Sequence, residues 1–255
     1  MIVPDWLTAR PIAHRGLHDR TAGRIENTCA AALAAIDAGC AIECDVQLSR
    51  DGEAMVFHDY ALDRLTASRG RVDAQDAASL ARIALEGAAD GETIPTLPMF
   101  LDRIAGRTPL VVEIKSVFDG DMRLADRVAA LARDYAGPLA LKSFDPAVMA
   151  HLRQNPPPRA PLGMVAEAAY DHAEWKPLGD ERRRALAAFL HWDDTRPDFL
   201  SWCVDDLPHA TPHLLRKALG RPVMAWTVRT PAQWALVRAY ADQAVFEGAP
   251  EPAGC

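Results

Sequence analysis

Apolar runs of strand length recur along the chain and alternate with stretches whose apolar residues fall at helical spacing. Runs at Ile12–His14, Ile42–Val46, Leu110–Lys115, Leu139–Phe144, Leu162–Ala166, Phe199–Val204, Val223–Val228 and Gln243–Glu247 predict eight strands. Helices are predicted over Thr28–Ala38, Leu97–Ala105, Asp121–Tyr135, Pro146–Arg153, Glu181–Leu190, Thr211–Leu219 and Pro231–Tyr240. The first can be capped by Asn27 or Thr28 and stops at Gly39. Strand–helix alternation is the signature of a parallel sheet with helical crossovers, and eight such units fit a TIM-type (β/α)8 barrel, an α/β fold.

One strand is two-faced. Ile42, Cys44 and Val46 fall on one side, Glu43, Asp45 and Gln47 on the other. Asp51-Gly52 then reads as a hairpin turn and Ala54–His58 as a returning arm. Counting outward from that turn sets Asp45 opposite His58, which would bring two carboxylates and an imidazole together. The arm is extra to the eight barrel strands.

The ladder has two irregularities. About 50 residues separate His58 from the next barrel strand, more than a crossover needs. Residues 60–95 are therefore read as a small insertion over the barrel mouth. Almost nothing follows the eighth strand, so the last outer helix is expected to be truncated or missing, with Trp6-Leu7 helping to cover the seam. Residues 1–255 are expected to form a single barrel domain, since Asn155-Pro-Pro-Pro-Arg159 is a stiff loop rather than a linker.

Composition narrows the function classes. A net charge of −7 argues against a general nucleic-acid binder, though not against a local cationic pocket. The five cysteines, Cys29, Cys40, Cys44, Cys203 and Cys255, form no C-x-x-C pair, so neither a zinc ribbon nor a redox motif is expected. No apolar run reaches the roughly 18 residues of a membrane span. The first residues lack the basic and apolar regions of a secretory signal, and the expected location is cytoplasmic.

Barrel enzymes place their chemistry at the C-terminal ends of the strands. Those ends carry His14-Arg15-Gly16, Glu43 and Asp45, Glu113 and Lys115, Lys142-Ser143-Phe144, Trp202-Cys203 and Trp226-Thr227. Three inward carboxylates stay ionised only with positive charge among them. Their oxygen donors suit a hard cation, Mg2+ or Ca2+, rather than zinc. Arg15 and Lys115 add cations to the rim, and His14 and His58 can act as an acid–base pair across a phosphorus.

The ordered set His14-Arg15-Gly16, Glu26-Asn27-Thr28, Glu43-x-Asp45, His58-Asp59, Glu113-x-Lys115 and Trp226-Thr227 resembles the glycerophosphodiester phosphodiesterase family. The resemblance runs from residue 11 to about residue 248. It implies a TIM-type barrel with an insertion after the second strand. It implies hydrolysis of small-molecule glycerophosphodiesters to glycerol 3-phosphate and an alcohol. It makes Glu43, Asp45 and Glu113 ligands of one divalent cation, Mg2+ or Ca2+, with Mn2+ as a further candidate. It makes His14 and His58 the acid–base pair, places Arg15 and Lys115 on the phosphate, and sets Trp226 near the glycerol or the leaving group. Attack by the substrate's own glycerol hydroxyl would give a cyclic phosphate that water opens. The chain departs from the family in carrying Ile25 before Glu26, where proline is usual, and in ending its last strand Phe246-Glu247-Gly248.

Plainer readings stand beside these. Glu113 and Lys115 can be an ordinary ion pair, Glu26 a helix-start acid and Trp226 a core residue. Lys142 either reaches the site or runs out to solvent. Two further functions fit the same pattern: headgroup cleavage of lysophospholipids, as by a phospholipase D, and a non-catalytic phosphodiester-binding barrel.

Overall fold

The computed structural model describes residues 3–89 and 91–250; the expectations that touch Met1, Ile2, Asp90 and Cys255 lie outside them. Eight parallel strands close on themselves: β1 (Ile12–Ala13), β2 (Ala41–Leu48), β4 (Leu110–Ile114), β5 (Leu139–Ser143), β6 (Leu162–Ala166), β7 (Phe199–Cys203), β8 (Val223–Val228) and β9 (Gln243–Phe246). Between β2 and β4 in sequence, the short β3 (Ala54–Val56) pairs antiparallel to β2. The barrel is the expected TIM-type α/β fold, and each strand falls within two residues of its predicted run.

The helices are α1 (Cys29–Asp37), α2 (Ala77–Leu80), α3 (Leu97–Ile104), α4 (Arg123–Asp134), α5 (Pro146–Gln154), α6 (Gly179–Ala187), α7 (Trp192–Thr195), α8 (Ala210–Lys217) and α9 (Pro231–Tyr240). Thr28, not Asn27, caps α1, its side chain accepting from Ala31 N. Both α2 and α7 have four residues, too few to print a helical period on the sequence. No helix follows β9 among the described residues.

Alternation along the strands separates two apolar layers. Outward residues such as Ile42, Cys44, Val46, Val112 and Leu141 pack beneath the helices. Inward residues Ile12, Ala41, Val111, Ala140, Phe199, Met224 and Val245 fill the N-terminal end of the barrel. Leu7 joins this inner cluster and Trp6 packs against it, so the N-terminal turn plugs the barrel floor rather than a seam between outer helices. At its edge it is tied to β9, where Gln243 Nε2 donates to Thr8 O at 2.8 Å. Gly163 makes room for one of the plugging rings: a Cβ there would lie 2.3 Å from the Phe199 ring.

The register of the β2–β3 hairpin corrects the sequence count. Val46 faces Val56 and Leu48 faces Ala54. Asp45 therefore stands opposite Phe57, whose N donates to Asp45 O at 3.0 Å. The cause is the loop. Ser49 N bonds Glu53 O across three residues, Arg50-Asp51-Gly52, with Gly52 at φ +89°, rather than across a two-residue Asp-Gly turn. One extra loop residue shifts every pairing by one. The arm fits there because β1 is two residues long. It pairs with Ala41 and Ile42 only, leaving the upper edge of β2 open.

Residues after β3 join Ile25 and Met55 in a second small core with Phe57, Leu62, Leu65, Val72, Leu80, Leu85 and Ile94. Two polar ties join this segment to the rim. Tyr60 Oη donates to Ser116 O at 2.7 Å, and Arg64 reaches Glu26.

Candidate active site

The inward residues of the upper barrel are polar where those of the floor are apolar. Glu43 and Asp45 rise from β2, Glu113 from β4 with Lys115 just past its end, and Lys142 from β5. The register Asp45↔Glu113↔Lys142 places these chains side by side on one wall. All three carboxylates are buried, and one oxygen from each lies within 4.8 Å of the others. Two ammonium groups flank them. Lys115 Nζ stands 2.8 Å from Asp45 Oδ1 and 2.5 Å from Glu113 Oε1. Lys142 Nζ stands 3.0 Å from Glu43 Oε1 and 3.3 Å from Glu113 Oε2. Lys142 thus reaches the site, and the plain Glu113–Lys115 ion pair is part of the same cluster.

Electrostatics favour the charged forms of Asp45 and Glu113. Burial pushes Asp45 up, but Lys115, His58, Arg15 and His14 outweigh it and hold Asp45 well below the usual carboxylate range. Burial also raises Glu113, yet Lys115 and Lys142 bring it below its ordinary value. Lys115 is raised in turn, since Asp45 and Glu113 overcome its desolvation. The donor set is oxygen alone, and Glu43 Oε1, though near Lys142, accepts no hydrogen bond among the described residues. A buried acceptor with capacity to spare is what a hard cation would take up, so Glu43, Asp45 and Glu113 could hold a metal ion.

The loop after β1 closes the other side. Arg15 has φ +59° and Asn27 φ +58°, left-handed values that non-glycine residues adopt rarely. Each is held by bonds to the acids. Arg15 N donates to Glu43 Oε2 at 3.1 Å. Asn27 Nδ2 donates to Asp45 Oδ2 at 3.0 Å while its Oδ1 accepts from Asp45 N at 3.1 Å. The Arg15 guanidinium reaches Glu26 at 2.6 Å and lies 3.4 Å from Asp45. Arg64 then bridges Glu26 to Asp59, with Nε donating to Asp59 Oδ2 at 2.6 Å. Burial pushes Glu26 up, but Arg64 and Arg15 bring it down to about 2.

Both histidines have a carboxylate on Nδ1. His14 Nδ1 is 2.6 Å from Glu247 Oε1, and His58 Nδ1 is 2.6 Å from Asp59 Oδ1. Such a partner fixes the ring and leaves Nε2 for other contacts. Burial raises Glu247 and Asp59, and the hydrogen bonds from each histidine and its neighbouring arginine carry both well below the usual range. His14 Nε2 lies 3.9 Å from Glu43 Oε2. His58 is not paired with Asp45, yet its charge bears on that carboxylate and Gln47 Nε2 anchors its carbonyl at 2.8 Å. Trp226, half-buried on β8, donates from Nε1 to Ser201 O at 2.9 Å.

His14, Arg15, Glu43, Asp45, His58, Glu113 and Lys115 all stand within this connected network, and Trp226 occupies the opposite rim. Sequence reasoning did not foresee Glu247 or Arg64 as parts of it, and it quoted Asn27 within a motif without giving it this role. Glu247 was detectable as the inward residue two beyond Val245. Arg64 carries no sequence signal for its contacts.

Comparison with known proteins follows this geometry. The family model described as the glycerophosphoryl diester phosphodiesterase family matches residues 14–251. A curated glycerophosphodiester phosphodiesterase of Caldanaerobacter subterraneus subsp. tengcongensis is 40% identical over 111 residues, covering 41% of this chain and 44% of that protein, less than half of either. An Oleispira antarctica phosphodiesterase, solved in complex with the product sn-glycerol-3-phosphate, superposes with a TM-score of 0.73 at 23% identity, covering 92% of this chain and 91% of that one. A glycerophosphodiester phosphodiesterase from Thermotoga maritima superposes with a TM-score of 0.67 at 23% identity, with 92% of each chain covered. At these identities the two superpositions speak for the fold.

Proposed function

The chain belongs to the glycerophosphoryl diester phosphodiesterase family, and from that premise we propose that it hydrolyses glycerophosphodiesters to glycerol 3-phosphate and an alcohol, using a divalent cation and two histidines. The observation that carries this reading is the convergence of a buried oxygen triad with two histidines, each held at Nδ1 by its own carboxylate. The product found on the Oleispira antarctica relative supports the same substrate class.

Glu43, Asp45 and Glu113 would hold the cation, Mg2+ or Ca2+, with Mn2+ as a further candidate. When bound, it supplies Lewis-acid neutralisation of phosphoryl charge. Arg15 and Lys115 bind and orient the phosphoryl oxygens, their own positions set by Glu26 and by Asp45 and Glu113. His14 and His58 present Nε2 to the substrate. One takes the proton from the attacking glycerol hydroxyl, and the other returns a proton to the departing alcohol oxygen. A cyclic glycerol phosphate results, and water opens it with the two roles reversed. Glu247 and Asp59 stabilise each imidazolium as it forms. Trp226 packs against the glycerol or the leaving group.

We read the described residues as one barrel domain, with the segment from residue 60 to residue 95 as an insertion over the mouth. Its Arg64, bound to Glu26 and Asp59, supports that reading. Among the described residues no helix is long and apolar enough to cross a membrane.

The test is release of glycerol 3-phosphate from glycerophosphocholine, glycerophosphoethanolamine and glycerophosphoglycerol with Mg2+, Ca2+ or Mn2+ present. Turnover of one or more is expected. No turnover of any diester with metal bound would end the proposal. Faster headgroup release from lysophosphatidylcholine than from glycerophosphocholine would favour the phospholipase D-like activity instead.

A further inference from the structure

Two strands along the barrel wall from β4, the inner face of β6 ends in a carboxylate that the chemistry above does not use. Gly163 lies inward against the Phe199 ring and Val165 pairs with Ser201, so the inward series along β6 runs on to Glu167, just past the strand end. Glu167 is 5% exposed, and among the described residues its Oε1 has no hydrogen-bond partner. The backbone beside it is pinned, Ala168 N donating to Asp206 Oδ2 at 2.7 Å.

Aromatic rings gather on the same sector. The Phe144 ring, at the end of β5, stands 5.0 Å from Trp175 and 5.5 Å from Trp226. Tyr170 lies 5.2 Å from Trp175 and is fully buried behind it. The rim already holds one cation on a ring: the Arg182 guanidinium lies 5.0 Å from the centre of Phe118, which packs edge-on to Trp175. Phe144 and Trp226 remain half-buried.

We propose that Glu167 and the rings of Phe144, Trp175 and Trp226 form a subsite for a positively charged, amine-bearing leaving group. The inference rests on the diesterase reading and specifies its substrate class. Ring faces and a carboxylate together are the chemistry that selects a substituted ammonium over a neutral alcohol. The position fits the task. β6 lies two strands along the wall from β4, about 10 Å at ordinary strand spacing. A substituted-ethanolamine arm spans that gap once its phosphoryl group stands off the triad. A carboxylate kept for packing alone would have both oxygens satisfied. Burial raises Glu167 to about 7, against a small opposing effect of His172 and of the Trp175 indole N–H, which lies near without meeting hydrogen-bond geometry. Asp206 and Glu174 add to the rise, and an ammonium would replace the missing counter-charge.

The experiment compares glycerophosphocholine with its neutral 3,3-dimethylbutyl isostere, and glycerophosphoethanolamine with glycerophosphoglycerol, on the wild type and on Glu167→Gln. The wild type should favour each cationic diester by about 10-fold in kcat/KM, mostly through KM. Glu167→Gln should erase that preference while leaving the neutral diesters within about twofold. The preference should also strengthen as pH rises through about 7, as Glu167 becomes charged. Equal turnover of cationic and neutral diesters by the wild type would overturn the subsite and leave the diesterase reading standing. An equal loss on both substrate classes in the variant would also overturn it. Failure to turn over any diester would bring down both.

Discussion

Replacing Glu247 by Gln tests the claim that the carboxylate behind His14 takes part in proton transfer. The two groups are 2.6 Å apart, and Glu247 is 21% exposed. A hydrogen bond to a charged group is worth about 1.5–3 kcal/mol, or roughly 10- to 100-fold in rate if it is realised in the transition state. Two features set the expectation near the lower end. The carboxylate is partly solvated, and its second oxygen is already engaged by Arg229 Nε at 2.7 Å. Glutamine can still accept from Nδ1, so the ring stays oriented and only the charge is lost. We expect kcat to fall about 10-fold with KM nearly unchanged, followed as glycerol 3-phosphate release under saturating metal. Arg229 is 55% exposed, so Arg229→Gln should cost less than about threefold. The strand should survive both changes, because Glu247 N bonds Val228 O at 3.0 Å through the backbone. A Glu247→Gln rate within twofold of wild type would refute the reasoning, as would a loss confined to KM.

Other expectations follow from the packing and the charges. Gly163→Ala should destabilise the barrel by about 1–3 kcal/mol in urea denaturation, because its methyl group would meet the Phe199 ring at 2.3 Å. An unchanged midpoint would mean that the ring moves freely. Glu26 titrates at about 2, below its ordinary 4.5, so its ion pairs add stability above pH 4.5 that is lost as pH falls toward 2. The stability difference between wild type and Arg64→Gln should therefore shrink across that window, from at most about 2 kcal/mol given the exposed guanidinium. A difference that is flat with pH would remove Glu26 from the account.

The barrel was legible because alternation is a local signal. Each strand needs an apolar outer face for the helices, and Ile42, Cys44 and Val46 write that face directly into the sequence. The inward acids stood out for the same reason, since Glu43, Asp45 and Glu113 sit where a floor residue would be apolar. The hairpin register was not legible. Ser49 pairing with Glu53 across three residues, rather than two, depends on Gly52 adopting a left-handed conformation, and Asp-Gly is compatible with either loop. His58 is nevertheless held beside the acids, by Asp59 and Gln47 rather than by a pairing with Asp45. The ties between distant segments were hidden as well. Glu247 meets His14 across 233 residues, and no local pattern reports a contact set by barrel closure. The floor plug was misjudged for a similar reason: nothing in Trp6-Leu7 says whether those side chains turn inward or lie along the outer seam.

The most direct test follows glycerophosphocholine turnover by phosphorus NMR, with a divalent cation and then with chelator. The account predicts glycerol 3-phosphate as the final phosphorus product, a transient cyclic glycerol phosphate before it, and no turnover once the cation is removed. Formation of phosphocholine in place of glycerol 3-phosphate, or turnover undiminished by chelator, would contradict it.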